Sequence, residues 1–399
     1  MTAPSILSIH PFPARMAPEL AIDTLRHLAT GSLVLDPMAG SGTVIRQATD
    51  LGHQAVGYDM DPLAVLMARV WTTPVEDRLV GEIYAQLLRD IERNRDPYLP
   101  WVDDDAETRE FIDYWFAETQ RNILRRIAAT LHEFSLRRFS KAKHAAADVI
   151  RVALSRIIIT KEQGASLARD TSHSRPHKVA SCSSYDVLQG LDRSLRQVRK
   201  RLSDFPPRVG AQVSFGDARS MLSIENGEVD AVLTSPPYLN AIDYLRGHRM
   251  SLVWLGHRIA DLRRIRSSSI GAERAPDSLA ILDSFTRMRV SMGDIDELPA
   301  RYSSMVDRYC EDLYRLASET SRVLRRHATA TFVVGNSCLK GVFVRNSNAL
   351  LAAASMCGLS LVKEFERDLP IRSRYLPITG TSSLGKRMRT ETILVFQKT

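Results

Sequence analysis

The stretch Thr234-Ser235-Pro236-Pro237-Tyr238 carries the clearest chemistry in the chain. It follows the apolar run Val229-Asp230-Ala231-Val232-Leu233, which reads as a buried strand. Two prolines end a strand, because proline has no N–H for the ladder and fixes its own backbone angle. A hydroxyl, two rigid residues and an aromatic ring are therefore expected at a strand's carboxyl end, the edge where open α/β sheets bind ligands. Such a turn can hold carbonyls and a ring against a flat, planar group. Taken alone, the stretch is also compatible with an ordinary proline turn and a packed tyrosine.

A second motif narrows the choice. Ser32-Leu33-Val34-Leu35-Asp36 reads as a strand, followed by Pro37-Met38-Ala39-Gly40-Ser41-Gly42-Thr43 and a helical pattern. The glycines at 40 and 42 allow a tight turn and a close approach to a ligand. Thr43 is expected to cap the helix, whose free amides then face an anionic group. A nicotinamide fingerprint would place glycine where Ile45 stands. The next strand, residues 54–58, runs into Asp59, at a distance from Asp36 that suits an acid bonding a ribose.

With these residues, the chain resembles the S-adenosylmethionine-dependent amino-methyltransferases of DNA, bacterial modification enzymes of the N4-cytosine and N6-adenine type. Residues 36–43 resemble that family's cofactor motif, and Ser235-Pro236-Pro237-Tyr238 its catalytic motif. The likeness covers the N-terminal third and the segment from about 210 onward. It implies a Rossmann-like class I methyltransferase fold of the α/β class: a mostly parallel seven-stranded sheet with helices on both faces. It also implies S-adenosylmethionine as cofactor, held by Asp36, Pro37, Met38, Ala39, Gly40, Ser41, Gly42, Thr43 and Asp59. Phe12, Pro13 and Ala14 would line the methionine end, Met60 would pack on adenine, and Asp217 with Ala218 would meet the adenine amine. Met60 and Asp217 also read plainly, as a first-turn helix residue and a turn aspartate.

Catalysis in the family's manner assigns two hydrogen-bond acceptors for the target amine, the Ser235 side chain and the Pro236 carbonyl. Pro237 completes the turn, and Tyr238 stacks on a base flipped out of the duplex. No metal and no covalent intermediate is required. Cys182, Cys310, Cys338 and Cys357 all lack the preceding proline that a cysteine-nucleophile route would show. A serine at the head of the motif is typical of N4-cytosine enzymes, whereas adenine enzymes more often carry Asp or Asn. Adenine N6, an RNA substrate and a catalytically silent cofactor-binding module stay open as alternatives.

At 399 residues with 44% apolar content, the chain can form one large or two moderate domains with a substantial core. It has no run of eighteen apolar residues, and residues 1–10 show no secretory pattern. The expectation is a cytoplasmic, nucleoid-associated protein with no membrane partner. Its widely spaced cysteines read as reduced thiols. A net charge of +8 favours a polyanionic partner, double-stranded DNA. A cognate restriction endonuclease and the oligomeric state are left open.

Three regions are expected: 1–71 and 208–399 as the two halves of the methyltransferase domain, and 72–207 as a mainly helical, basic insertion that recognises the target. Helical spacing runs over 79–93, 108–134, 143–159 and 188–202, while 161–184 reads as a long loop. Residues 121–201 hold 18 Lys and Arg against 6 Asp and Glu, a balance of +12. This is either a phosphate-binding surface or a solvated helical face. Arg169, Arg175, His177 and Lys178 in the loop are the candidate DNA contacts. Asn240, Asp243 and Tyr244 would touch the target base or order its loop. A polar, arginine-rich stretch at about 257–300 is a second candidate for DNA contact, or a flap. A closing strand pair is expected at 359–367 and 392–397 with no recognition domain after it, which leaves target choice to the inserted segments.

Overall fold

The computed structural model describes residues 8–11, 16–169, 176–239, 241, 243–272, 283–368 and 390–399. Proline opens helix α1 (Pro18–Leu25), where its missing N–H costs nothing. Then come β1 (Leu33–Asp36), α2 (Thr43–Asp50), β2 (Gln54–Asp59) and α3 (Pro62–Thr72). A helical excursion follows: α4 (Asp77–Arg93), the one-turn α5 (Pro100–Asp103), α6 (Ala106–Trp115), α7 (Glu118–Leu136) and α8 (Lys141–Ile158). It continues with a small hairpin, β3 (Ala168–Arg169) and β4 (His177–Lys178), and ends with α9 (Val187–Asp204). The chain re-enters the sheet through β5 (Gln212–Phe215) and β6 (Val229–Thr234). After these lie α10 (Leu245–Leu252), α11 (Ile259–Ser268), α12 (Asp283–Ser291), α13 (Ser303–Val323) and β7 (Leu324–Gly335). The hairpin β8 (Ser337–Leu339) and β9 (Val342–Val344), α14 (Asn346–Met356), β10 (Leu359–Asp368) and β11 (Thr390–Lys398) close the fold.

The seven-stranded sheet has the order β10-β11-β7-β6-β1-β2-β5. Its pairs are parallel from β7 to β5, and β11 runs antiparallel to both β7 and β10. This is the Rossmann-like, class I methyltransferase architecture. From β1 the chain winds outward first through β2 and β5 and later, on the other side, through β6 and β7. The gap between the carboxyl ends of β1 and β6 is therefore the switch point, where such sheets open a crevice.

Alternation along the strands builds a layer on each face. Val34 joins Ala21, Leu25, Val44, Ile45 and Ala68 under α1, α2 and α3. Its neighbour Leu35 faces the opposite layer, where Leu313, Leu316 and Ala317 of α13 and Leu350 of α14 pack. The excursion has its own core, including Leu87, Leu124, Phe134, Ile150, Leu154 and Leu195, which extends to Met250, Val253 and Trp254 just beyond the catalytic turn. Arg46, 2% exposed, fastens the neck of this unit. It donates to the Trp71 carbonyl where the excursion leaves, and to the Phe205 and Pro206 carbonyls where it returns.

Three sequence expectations change. The helical stretch at 108–134 is broken, because Phe116 is extended and packs edge-on against buried Trp254, with ring centres 5.0 Å apart. The loop at 161–184 is pinned in its described part: Ala165 N and Ser166 N donate to the Ile157 and Ile158 carbonyls, and Leu167 N to that of Trp115. Two-residue strands leave no periodicity to read.

The third change concerns charge. Over 72–207 the count is 23 basic against 20 acidic residues. Many arginines counted in 121–201 meet acids that lie before residue 121. Arg125 pairs with Asp103, Arg137 with Asp90, Arg199 with Asp77 and Arg121 with Asp113. Others hold backbone carbonyls: Arg126 those of Ile91 and Asn94, Arg156 that of Ile9, and Arg201 that of Ser8. Eight of these arginines are half-buried and several of them fasten helices together, while nine of the eighteen basic residues are exposed.

Candidate active site

Parallel pairing sets Val34 opposite Ala231 and Leu35 opposite Val232, so both motifs leave the sheet at one edge. The hydroxyl of Thr234 donates to Asp36 Oδ1 at 2.7 Å, and Met38 N donates to the same oxygen at 3.1 Å. The last residue of each strand thus bonds the other. Burial pushes the Asp36 carboxyl up to about 7, against the two hydrogen bonds that lower it.

A carboxyl raised in the folded state contributes stability that is complete at low pH and is lost as pH rises through its folded value. For Asp36 that window ends near 7. Between pH 5 and 8 the unliganded protein is expected to lose on the order of 3 kcal/mol relative to an Asp36→Asn variant, whose amide oxygen keeps both bonds without titrating. Urea unfolding of both proteins across that range checks this; parallel stability profiles would refute it.

The glycine bend matches its expected backbone. Gly40 has φ 51° and Gly42 φ 91°, both left-handed. A Cβ at Gly42 would meet Ala68 Cβ at 2.8 Å and Cα at 2.9 Å, so α3 lies directly against the bend. Thr43 does not cap α2, contrary to expectation: Gly42 is the N-cap, no side chain caps the helix, and Thr43 enters its first turn. Among the described residues, the buried hydroxyls of Ser41 and Thr43 have no hydrogen-bond partner. Orphaned hydroxyls beside an uncapped helix N-terminus are the environment a polar ligand would complete. The bend therefore fits S-adenosylmethionine, the cofactor of this chain.

Asp59 accepts from Gly40 N and Asp61 N, each at 2.8 Å, which ties this carboxylate to the bend. Burial, and then the charge of Asp61, push the Asp59 carboxyl up to about 6. Asp61 caps α3 through Leu63 N and meets His248 Nδ1 at 2.5 Å. Burial alone would raise Asp61, but the charge and hydrogen bond of His248 hold it below the ordinary carboxylate value. His248 lies on α10, directly downstream of the Ser-Pro-Pro-Tyr turn, and nothing in its sequence context signalled this link to the glycine bend's side.

The expected adenine end holds a residue the sequence reading passed over. The Arg219 guanidinium bonds Asp217 Oδ2 at 2.7 Å and comes within 3.9 Å of Met60 Sδ. It also donates to Asp312 and to the Ser268 carbonyl. Burial raises the Asp217 carboxyl, but the hydrogen bonds and charge of Arg219 outweigh this and leave it below its usual value. Ala218 is buried beside it.

At the Ser-Pro-Pro-Tyr turn Ser235 is exposed, Pro236 is buried, and Pro237 and Tyr238 are half-buried. Burial raises the Tyr238 phenol. Tyr309 Oη, from α13, donates to the Pro237 carbonyl at 3.1 Å, and Ala241 N donates to that of Tyr238 at 2.9 Å. Gly271, at φ 74°, packs so closely that a Cβ there would sit 2.9 Å from the Tyr238 oxygen.

Among the expected DNA contacts, Asp243 is engaged by Arg246 and Arg266, so its carboxylate orders the loop. Tyr244 sits at the start of α10 and packs on the helical core. Arg169, His177 and Lys178 lie on the β3–β4 hairpin, with the Lys178 ammonium 4.5 Å from the ring centre of exposed Tyr114. Phe12, Pro13, Ala14, Arg175 and Asn240 lie outside the described residues. Among the described residues no cluster of His, Cys, Asp and Glu could hold a metal, and no helix is long and apolar enough to cross a membrane.

No protein-family model matches the chain. It is similar to the Type II methyltransferase M.MvaI of Kocuria varians, at 22% identity across 97% of this chain and 90% of that protein. It is also similar to M.BsoBI of Geobacillus stearothermophilus, at 23% identity across 61% of this chain. There the match spans about half of the relative's length, 51%. Of solved structures, a TehB-like SAM-dependent methyltransferase from Corynebacterium glutamicum aligns with 96% of this chain and 87% of its own, at 9% identity and a TM-score of 0.31. A glycine bend and a Ser-Pro-Pro-Tyr turn are joined through Asp36 and Thr234 at the sheet's switch point, and the chain is similar over nearly its whole length to M.MvaI; together these support an S-adenosylmethionine-dependent DNA methyltransferase.

Proposed function

We propose that this protein transfers a methyl group to the exocyclic N4 amine of a cytosine extruded from double-stranded DNA. The observation that carries this reading is how the catalytic turn uses its oxygens. The carbonyls of Pro237 and Tyr238 are taken by Tyr309 and Ala241. Among the described residues the Ser235 hydroxyl and the Pro236 carbonyl have no such partner, and Ser235 faces solvent. The two oxygens the turn leaves over are those assigned to the amine.

An exocyclic amine is a poor nucleophile because its lone pair is delocalised into the ring. Two acceptors on its N–H groups draw the nitrogen toward tetrahedral geometry and localise that pair. The half-buried Tyr238 ring offers a stacking face to the extruded base. S-Adenosylmethionine, when bound at the glycine bend, supplies an electrophilic methyl group on a sulfonium. The chain's own contribution is alignment and proximity, for which the Asp36–Thr234 bond holds the two strand tips in register.

In this reading residues 36–43, Asp59, Met60, Asp217 and Ala218 line the cofactor end. Target choice belongs to the excursion at 72–207 and the segment at about 257–300. The serine at the head of the motif supports cytosine over adenine, and the likeness to Type II methyltransferases supports duplex DNA. The test is to methylate DNA with the purified protein, digest it to nucleosides and identify the product. N4-Methylcytosine is expected; N6-methyladenine as the sole product would overturn the base assignment. No transfer to duplex DNA, with transfer to RNA, would overturn the substrate.

A further inference from the structure

We propose that Arg246, Arg249 and Arg266 form a phosphodiester-binding site beside the catalytic turn, gripping the DNA backbone next to the extruded nucleotide. This rests on the reading of the protein as a DNA methyltransferase and adds the site that holds the strand. Residues 243–272 contain six arginines and two aspartates, a sharper excess than that of the helical excursion.

Two of these arginines meet at one carboxylate and a third lies beside them. Arg266 Nε donates to Asp243 Oδ2, and Arg246 Nε lies 3.7 Å from the same oxygen. Arg249, one helical turn beyond Arg246, donates through Nε to the Arg246 carbonyl at 3.2 Å. Its guanidinium lies 5.1 Å from the centre of the Phe111 ring, which orients it without neutralising it. Burial, and then the charges of Arg266 and Arg246, lower its affinity for a proton. Two guanidiniums thus share one carboxylate and the third, Arg249, lies within reach of their charge with no ion pair of its own, so among the described residues this cluster carries more positive than negative charge.

Two other buried or half-buried arginine sites are balanced by two carboxylates each. Arg219 has Asp217 and Asp312, and Arg289 has Asp296 and Asp307. Half-buried like charges repel unless an anion completes them, and a phosphate matches the guanidinium fork in charge and shape.

Position gives the site its purpose. Asp243 comes shortly after Tyr238 in the chain, so α10 carries Arg246 and Arg249 directly away from the catalytic turn. Arg266 ends α11 just before Gly271, which packs on the Tyr238 carbonyl. The arms bearing the three arginines therefore flank the turn that would receive the base. A backbone phosphate fixed there would hold the strand while its base is out of the stack.

The test measures binding of a fluorescently labelled duplex by anisotropy at several salt concentrations, with thermal melting and calorimetric S-adenosylmethionine binding confirming the fold of each variant. Arg246→Gln and Arg249→Gln are each expected to weaken binding about fivefold to tenfold and to flatten the slope of log affinity against log salt by about one. Arg249→Lys, which keeps the charge, is expected to retain the slope. Arg196→Gln, whose partner Asp192 leaves no excess charge, is expected to change neither quantity. If the glutamine variants bind with the intact protein's slope, the trio only staples α10 to α11 and the proposal falls while the methyltransferase reading stands. If the intact protein binds no duplex at any salt concentration, both fall together.

Discussion

Replacing Tyr238 by alanine is expected to lower methyl transfer about tenfold to hundredfold while leaving cofactor affinity within a factor of about two, because base–aromatic stacking is worth roughly 1–3 kcal/mol. The turn is held from three sides that do not depend on this ring: Tyr309 on the Pro237 carbonyl, Ala241 N on the Tyr238 carbonyl, and Gly271 packed against that carbonyl. Removal of the ring therefore leaves the backbone in place and tests the stacking face alone. Tyr238→Phe separates ring from hydroxyl and is expected to keep most of the activity. Single-turnover rates and calorimetry on the same preparations give both numbers. Unchanged transfer by the alanine variant would remove Tyr238 from the catalytic assignment. Equal losses in cofactor affinity and rate would show that the ring supports the fold and not the base.

Replacing Gly42 by valine is expected to weaken S-adenosylmethionine binding more than about a hundredfold, since a left-handed β-branched residue and an overpacked contact each cost roughly 1–3 kcal/mol. The new Cβ would meet Ala68 Cα, which is backbone, so α3 or the bend must shift. Either shift moves the uncapped start of α2 and the buried Ser41 and Thr43 hydroxyls. Gly31 provides the comparison: it is also left-handed, at φ 83°, but nothing lies within 4 Å of its Cβ position. Gly31→Ala is expected to pay only the backbone strain, on the order of 1 kcal/mol, and to bind the cofactor normally. Isothermal titration of both variants, each shown to be folded by its melting transition, decides the matter. Normal binding by Gly42→Val would mean that the bend does not hold the cofactor.

Two features bear on where DNA would lie. The excursion at 72–207 is nearly balanced in charge once its own acids are counted, while residues 243–272, which follow the Ser-Pro-Pro-Tyr turn, hold six arginines against two aspartates. The β3–β4 hairpin still presents Arg169, His177 and Lys178, with Lys178 over exposed Tyr114. A basic hairpin and an arginine trio suit contacts at two places along a duplex.

Motif chemistry was legible in the chain because it is local. Glycines at 40 and 42, an acid ending each of the first two strands, and prolines closing a third are dictated by backbone sterics that neighbouring residues impose on one another. The strands themselves showed as short apolar runs, but their order in the sheet was visible only in the tertiary structure. Partners distant in sequence were not legible. Thr234 bonding Asp36, His248 meeting Asp61, Arg219 bridging Asp217 and Asp312, and Arg46 closing the neck of the excursion all join residues that no window of sequence contains together. The same holds for charge. Composition reports how many arginines a segment has, but only the packing of helices decides which meet a carboxylate and which are left facing a phosphate, because a salt bridge depends on separation in space and not along the chain.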